Sequence, residues 1–270
     1  MTGGGSARDR TIADFGEQWS RYTQNEGYYA SLEMLRDWLE PLVPIAELQG
    51  KRIVDVGSGS GRIVMNLLRA GASHVTAVEP APGAFAVLRE NTVADAHRVA
   101  YLNEGGETFT PPGPVDLAVS YGVLHHIPDP LPVVRRVHQI LSPGARFAAW
   151  LYGREGNGLY LALTEPMRVV TTRLPHLALA GLSRVLDVPL AAYAFACEHL
   201  PLPLAGYMRN TIRKVSPEAR RLIIYDQLNP AYAKYYTRAE AERLFLDGGF
   251  ADVELHHRHG YSWTVVGTKR

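Results

Sequence analysis

Cysteine occurs once, as Cys197. That excludes an internal disulfide framework and leads us to expect a reducing compartment, the cytoplasm. Charge of one sign is not in excess, with 28 Lys plus Arg against 27 Asp plus Glu, and no basic stripe of the kind a nucleic-acid reader carries stands out. Long apolar runs are also missing. The longest uncharged apolar stretch of the middle region, "VPLAAYAFAC" at 188–197, falls short of the roughly 20 residues that span a bilayer. The first ten residues, "MTGGGSARDR", hold no apolar signal core and read as a flexible tail. No internal repeat is visible. No Gly-Lys-Ser/Thr follows the glycine-rich stretch, so a P-loop is excluded, and no His-Glu-x-x-His spacing suggests a metal. With 46% hydrophobic residues, the chain can build a full core without covalent staples.

The apolar pattern that is present alternates between two periods. "KRIVDV" (51–56), "HVTAVE" (74–79), "VAYLN" (99–103), "VDLAVS" (115–120) and "ARFAAWLY" (145–152) read as strands. Helices fill the gaps, to about Leu68, from Pro82 to Ala94, and from Asp129-Pro130 to Ile140. This alternation implies an α/β fold with a parallel sheet and helices on both faces. Residues 1–45 form an entry segment, helical over 11–40. Residues 156–236 lose the strand rhythm, and prolines at 166, 175, 189, 201, 203 and 217 predict several short helices. Order returns at Thr237-x-x-Glu240, a capping box, and the helix it opens should stop at Gly248-Gly249. "ADVELHHR" and "YSWTVVG" then read as two strands joined at Gly260. The core is therefore 46–155 plus 237–270, with 156–236 inserted.

"RIVDVGSGSGR" (52–62) is the stretch with the most chemistry in it. A strand that ends in a glycine turn opening a helix lets a ligand approach the backbone. The spacing is G-x-G-x-G. The last glycine of the dinucleotide pattern G-x-G-x-x-G is replaced by Arg62. Asp55 beside the turn disfavours a pyrophosphate and favours a cationic ligand such as S-adenosylmethionine, unless it merely bonds turn amides. Glu79, closing the second strand, is placed to accept two ribose hydroxyls or to stand in solvent.

"VDVGSGSGR", "AVEP", "NEGGETF", "VDLAVSYGVLHHIPDP" and "LSPGARFAAW" occur in the order seen in class I S-adenosylmethionine-dependent methyltransferases, and the chain resembles their small-molecule branch over 50–152, with 237–267 following by pattern. The resemblance implies a Rossmann-like, seven-stranded, mostly parallel sheet with an α-helical insertion or lid. It implies that Asp55, Gly57, Ser58, Gly59 and Gly61 line the methionine and ribose part, that Glu79 holds the ribose hydroxyls with Pro80 beside the adenine, and that Gly106 and Glu107 lie at the adenine, where Gly105 replaces the usual Asp. Ser120 and Tyr121 would flank the methyl donor.

Methyl transfer needs position and a dry pocket, and a hydroxyl acceptor also needs a base. His126 is the candidate base and His125 a substrate contact; alternatively both shape their loop. "HHRH" (256–259) is no metal site, because strand neighbours point to opposite faces. Phe15, Trp19 and Tyr22 pack a helix on the sheet edge or form a lid over the cofactor pocket, with Tyr22, Tyr28 or Tyr29 reaching the donor; Tyr22 is also a candidate substrate contact. "YDQLNP" (225–230) offers Tyr225 and Asn229 to an acceptor or forms a polar turn. The insertion is a lid, an acceptor pocket, a dimer surface or a helical unit with its own core. The reading is a methyltransferase for an oxygen of a small, lipid-like or natural-product acceptor, with S-adenosylmethionine as donor and no nucleic acid, membrane span or metal. The alternatives are a nucleotide-dependent oxidoreductase or epimerase and a non-catalytic cofactor-binding protein.

Overall fold

The computed structural model describes residues 12, 16, 27–228 and 232–270. Phe15, Trp19, Tyr22 and Asn229 lie outside them. Seven strands form one sheet: β1 (Arg52–Val56), β2 (His74–Val78), β3 (Val99–Leu102), β4 (Leu117–Tyr121), β5 (Arg146–Tyr152), β6 (Ala251–Arg258) and β7 (Ser262–Thr268), in the order β3-β2-β1-β4-β5-β7-β6. The first five are mutually parallel, and β7 runs antiparallel to both β5 and β6. The order reverses between β1 and β4, so a crevice opens beyond their carboxyl ends.

Both faces of the sheet are covered because its strands are apolar on both sides. On β1, Ile53 faces one core while Val54 and Val56 face the other. The first core takes Trp38 and Leu39 of α1 (Leu32–Leu39) and Val64 and Leu67 of α2 (Arg62–Arg69), with Leu88 of α3 (Pro82–Asn91). The second takes Val134 and Val137 of α4 (Leu131–Ile140) and Phe245 of α8 (Arg238–Asp247). The capping box of α8 is formed, with Thr237 and Glu240 bonding each other's backbone, and Gly249 follows the helix at φ 98°.

Within its described part, the expected entry helix over 11–40 is interrupted from Gly27 to Ser31. Gly27 has φ 67°, a 3-10 turn spans Tyr28–Ala30, and the Ser31 hydroxyl caps α1 by accepting from the Met34 N–H at 3.2 Å. The insertion departs further from expectation. Its prolines do not cut it into short pieces: α5 (Gly158–Thr171) runs through Pro166 and α6 (His176–His199) through Pro189, and α7 is Pro217–Leu228. Both prolines sit on exposed sides of their helices, where a carbonyl left without its N–H partner can turn to water. Packing of the inner sides on α7 offsets the loss.

Candidate active site

The glycine turn is held from beneath. Gly57 and Ser58 donate their N–H groups to the Val78 carbonyl at 2.8 and 3.0 Å, and Gly61 N–H donates to the Ser58 carbonyl at 2.9 Å. Gly57, Gly59 and Gly61 all have positive φ. At Gly57 a Cβ would also lie 2.4 Å from a Val123 methyl, so only glycine fits there. The Glu79 carboxylate accepts from Gly59 N–H at 2.8 Å and from Ala81 N–H at 2.9 Å, which leaves one lone pair on each oxygen. Burial pushes its pKa up, against the two backbone bonds.

A cavity of about 1460 Å3, counted with its open mouth, extends from this turn. At one end it is lined by Gly57, Ser58, Gly59, Glu79, Pro80 and Glu107. At the other it is aromatic, with Tyr121, Trp150, Tyr152, Tyr207 and Tyr261. Tyr121 stacks on Trp150 at 4.9 Å. Ile12, from the entry segment, reaches the cavity, and Gly16 lies against Ala81.

The remaining expected residues are placed as follows. Asp55 is buried behind the turn rather than on the cavity wall, with neither carboxylate oxygen hydrogen-bonded. Burial raises its pKa to about 7; the neighbouring Ser58 hydroxyl opposes the rise, the Glu79 charge adds to it and Arg62 opposes it. Gly106 is not on the wall; a Cβ there would meet Val56 and Val133. Three further expectations are corrected. Ser120 is fully buried and donates to the Val56 carbonyl at 3.1 Å, stapling β4 to β1 instead of flanking a donor. His125 is fully buried, stacked on Tyr152 at 3.8 Å, and cannot touch an acceptor. Tyr225 packs with Leu179 and Leu228 inside the insertion; its neighbours Ile223, Asp226 and Gln227 line the cavity instead. The expected strand residues "HHRH" have structural contacts: His257 stacks on Trp263 and His259 bonds Asp37.

His126 does line the cavity. Its Nδ1 lies 3.0 Å from the Tyr232 carbonyl, an acceptor, so Nδ1 carries the proton and the lone pair sits on Nε2. Burial lowers its pKa to about 4, so the ring is neutral at pH 7.

Sequence reasoning missed Arg62, the first residue of α2, which lies in the cavity near Asp55 and over the Tyr121 ring. It also missed Trp150 and Tyr152. Their period of two on β5, in line with Tyr121 across the β4–β5 pair, was the available signal.

These residues suit a zwitterionic, sulfonium-bearing nucleoside. The Glu79 and Glu107 carboxyl groups on the wall, with Asp55 behind the turn, put acids where a cation would lie. Arg62 and the start of α2 offer a cation and N–H groups to a carboxylate. Glu79 has the lone pairs that two hydroxyls need.

Comparison with known proteins agrees. The description of a methyltransferase domain matches residues 54–149. The ubiquinone biosynthesis O-methyltransferase of Xylella fastidiosa is 31% identical over 167 residues, covering 61% of this chain and 66% of that enzyme. Its counterpart in Ralstonia nicotianae is 28% identical over 200 residues, 73% of this chain and 75% of the other. Human N-acetylserotonin methyltransferase, solved with S-adenosylmethionine, shares the fold at a TM-score of 0.57 and 12% identity, over 99% of this chain and 60% of its own. The chain thus spans about two thirds of the first relative and less of the human enzyme. With the seven-stranded sheet, the glycine turn and its acids in place, this chain belongs to the class I S-adenosylmethionine-dependent methyltransferases.

Proposed function

We propose that the protein transfers a methyl group from S-adenosylmethionine to an oxygen of a small, largely apolar acceptor of natural-product or lipid-like character. The observation that carries this reading is the single cavity that joins an acid-rimmed glycine turn to an aromatic chamber under the insertion. The names of the relatives, ubiquinone biosynthesis O-methyltransferases, favour oxygen as the acceptor atom. Family membership displaces the oxidoreductase and epimerase alternatives.

Bound S-adenosylmethionine supplies an activated methyl group on a positively charged sulfur. The chain supplies place and dryness. Glu79 and Pro80 would hold the nucleoside, and Arg62 the carboxylate. The Tyr121–Trp150 stack and Tyr152 exclude water from the reacting end, which strengthens every charge inside it. Ile12 would cover the donor, and the insertion the acceptor. The acceptor hydroxyl would lie against His126 Nε2. With a pKa of about 4, His126 is too weak a base to ionise a hydroxyl beforehand. It takes the proton once the oxygen has begun to bond carbon and has become acidic.

Mass spectrometry of products from a panel of hydroxylated acceptors tests the reaction, and calorimetry tests the donor site. Glu79→Ala should weaken S-adenosylhomocysteine binding tenfold or more, about 1.4 kcal/mol, and NAD should not bind. His126→Ala should slow turnover and leave donor affinity near normal. Binding of NAD in preference to S-adenosylhomocysteine would overturn the proposal.

A further inference from the structure

Helices α5 and α6 keep their inner sides on α7. Arg168 Nε donates to the Gln227 carbonyl at 2.7 Å, Thr171 Oγ1 to the Leu228 carbonyl at 2.9 Å, and Asp187 pairs with Arg220 and, at 3.3 Å, with Arg221. Leu179 is buried among Ile224, Tyr225 and Leu228. The outer sides are apolar and exposed. On α5, Leu159, Leu163, Met167 and Val170 succeed one another at helical spacing; Leu163 and Val170 are each 62% exposed. On α6, Leu177, Val185, Val188 and Phe195 share one side, with Leu177 at 82% and Val188 at 71% exposure. Two helices that follow one another in the chain and share α7 thus each present an apolar surface of a kind that soluble proteins keep small.

The charges on these outer arcs have one sign. Arg184 lies on the outer arc of α6, and Arg173 is exposed in the turn that joins α5 to α6. No carboxylate lies on either arc: Glu165 sits on the flank of α5, Asp187 is buried beneath α6, and Glu198 pairs with Arg213 at 2.8 Å. A second copy docked face to face would set arginines near arginines with no acid between them, which is unfavourable. An anionic lipid surface matches both the apolar rows and the arginines. Leu177–His199 is long and apolar enough by length and composition to cross a membrane, but only 22% of its apolar window is buried within the fold. Crossing would also tear Asp187 from its two arginines. A helix anchored this way on one side and apolar on the other lies in the interface.

We propose that the outer faces of α5 and α6 form a docking surface for an anionic membrane, on which the helices lie in the plane of the lipid headgroups. Flotation of the full chain with phosphatidylcholine vesicles containing phosphatidylglycerol tests this, with pure phosphatidylcholine vesicles alongside. The protein should float with the anionic vesicles. Leu163→Glu with Val188→Glu should cut the bound fraction about tenfold, and Arg173→Gln or Arg184→Gln about fivefold each. All four side chains point to solvent, so melting temperature and S-adenosylhomocysteine affinity should match the parent; this separates failure of the surface from failure of the methyl-transfer reading. Absence of flotation, equal flotation with neutral vesicles, or a sedimenting dimer dissolved by Val188→Glu would each overturn the proposal.

Discussion

Asp55 has a carboxylate that is nearly inaccessible and has no hydrogen-bond partner on either oxygen. Such a group destabilises the fold it sits in. Burial raises its pKa from 3.8 to about 7. Below pH 3.8 it is protonated folded or unfolded, and costs nothing. As pH rises toward 7 the unfolded chain releases the proton while the folded chain retains it, so stability falls. Above 7 the loss is complete, up to about 4 kcal/mol. Asp55→Asn should therefore make the ligand-free protein more stable to urea at pH 8, with the gain shrinking toward pH 4. The same change should weaken S-adenosylmethionine tenfold or more. A variant no more stable than the parent at pH 8 would show that the acid is partnered in solution.

The glycine turn between β1 and α2 fits so closely that one methyl group breaks it. At Gly57, φ is 80° and the site of a Cβ is filled by Val123. Gly57→Ala should cost about 1–3 kcal/mol from the backbone alone, with the clash added, and should abolish donor binding by calorimetry. Val123→Ala in the same chain should recover the part due to the clash and not the part due to φ. Both components of this turn were legible in the sequence, because glycine spacing and the preceding strand are local signals. So was the Thr237–Glu240 box, for the same reason. Ser120 and Tyr121 show where legibility ends. As neighbours on β4 they point to opposite faces, so at most one can face a ligand. The choice is made by Trp150, paired with Tyr121 from another strand. The prolines of the insertion misled for a related reason: Pro166 and Pro189 are local helix breakers, and the packing on α7 that outweighs them comes from a distant segment.

Distant segments also meet at a buried charge cluster that ties the edge of the sheet to the cavity. Arg258, at the end of β6, is 1% exposed. Its Nε donates to the Asp37 carboxylate of α1 at 2.9 Å, its Nη2 to the same oxygen, and its Nη1 to the Tyr261 hydroxyl. His259 Nε2 lies 2.8 Å from the other Asp37 oxygen. Tyr261 lines the cavity and packs on Tyr207 of the insertion at 4.2 Å. Burial pushes the Asp37 pKa up, but the His259 hydrogen bond and the Arg258 charge outweigh it and hold the pKa below 3.8. The stabilisation is thus present above the unfolded pKa and is lost as pH falls through the lower folded value. Asp37→Ala would leave the Arg258 guanidinium buried without its carboxylate, a change that typically costs about 3–5 kcal/mol. Removing both charges with Asp37→Leu and Arg258→Met leaves no buried ion, and should cost far less than the single change. Urea unfolding of the three proteins at pH 7 measures this. If the double variant is as unstable as Asp37→Ala, the cluster acts through shape and hydrogen bonds rather than through its paired charges, and Tyr261 is then set at the cavity wall by packing on Tyr207.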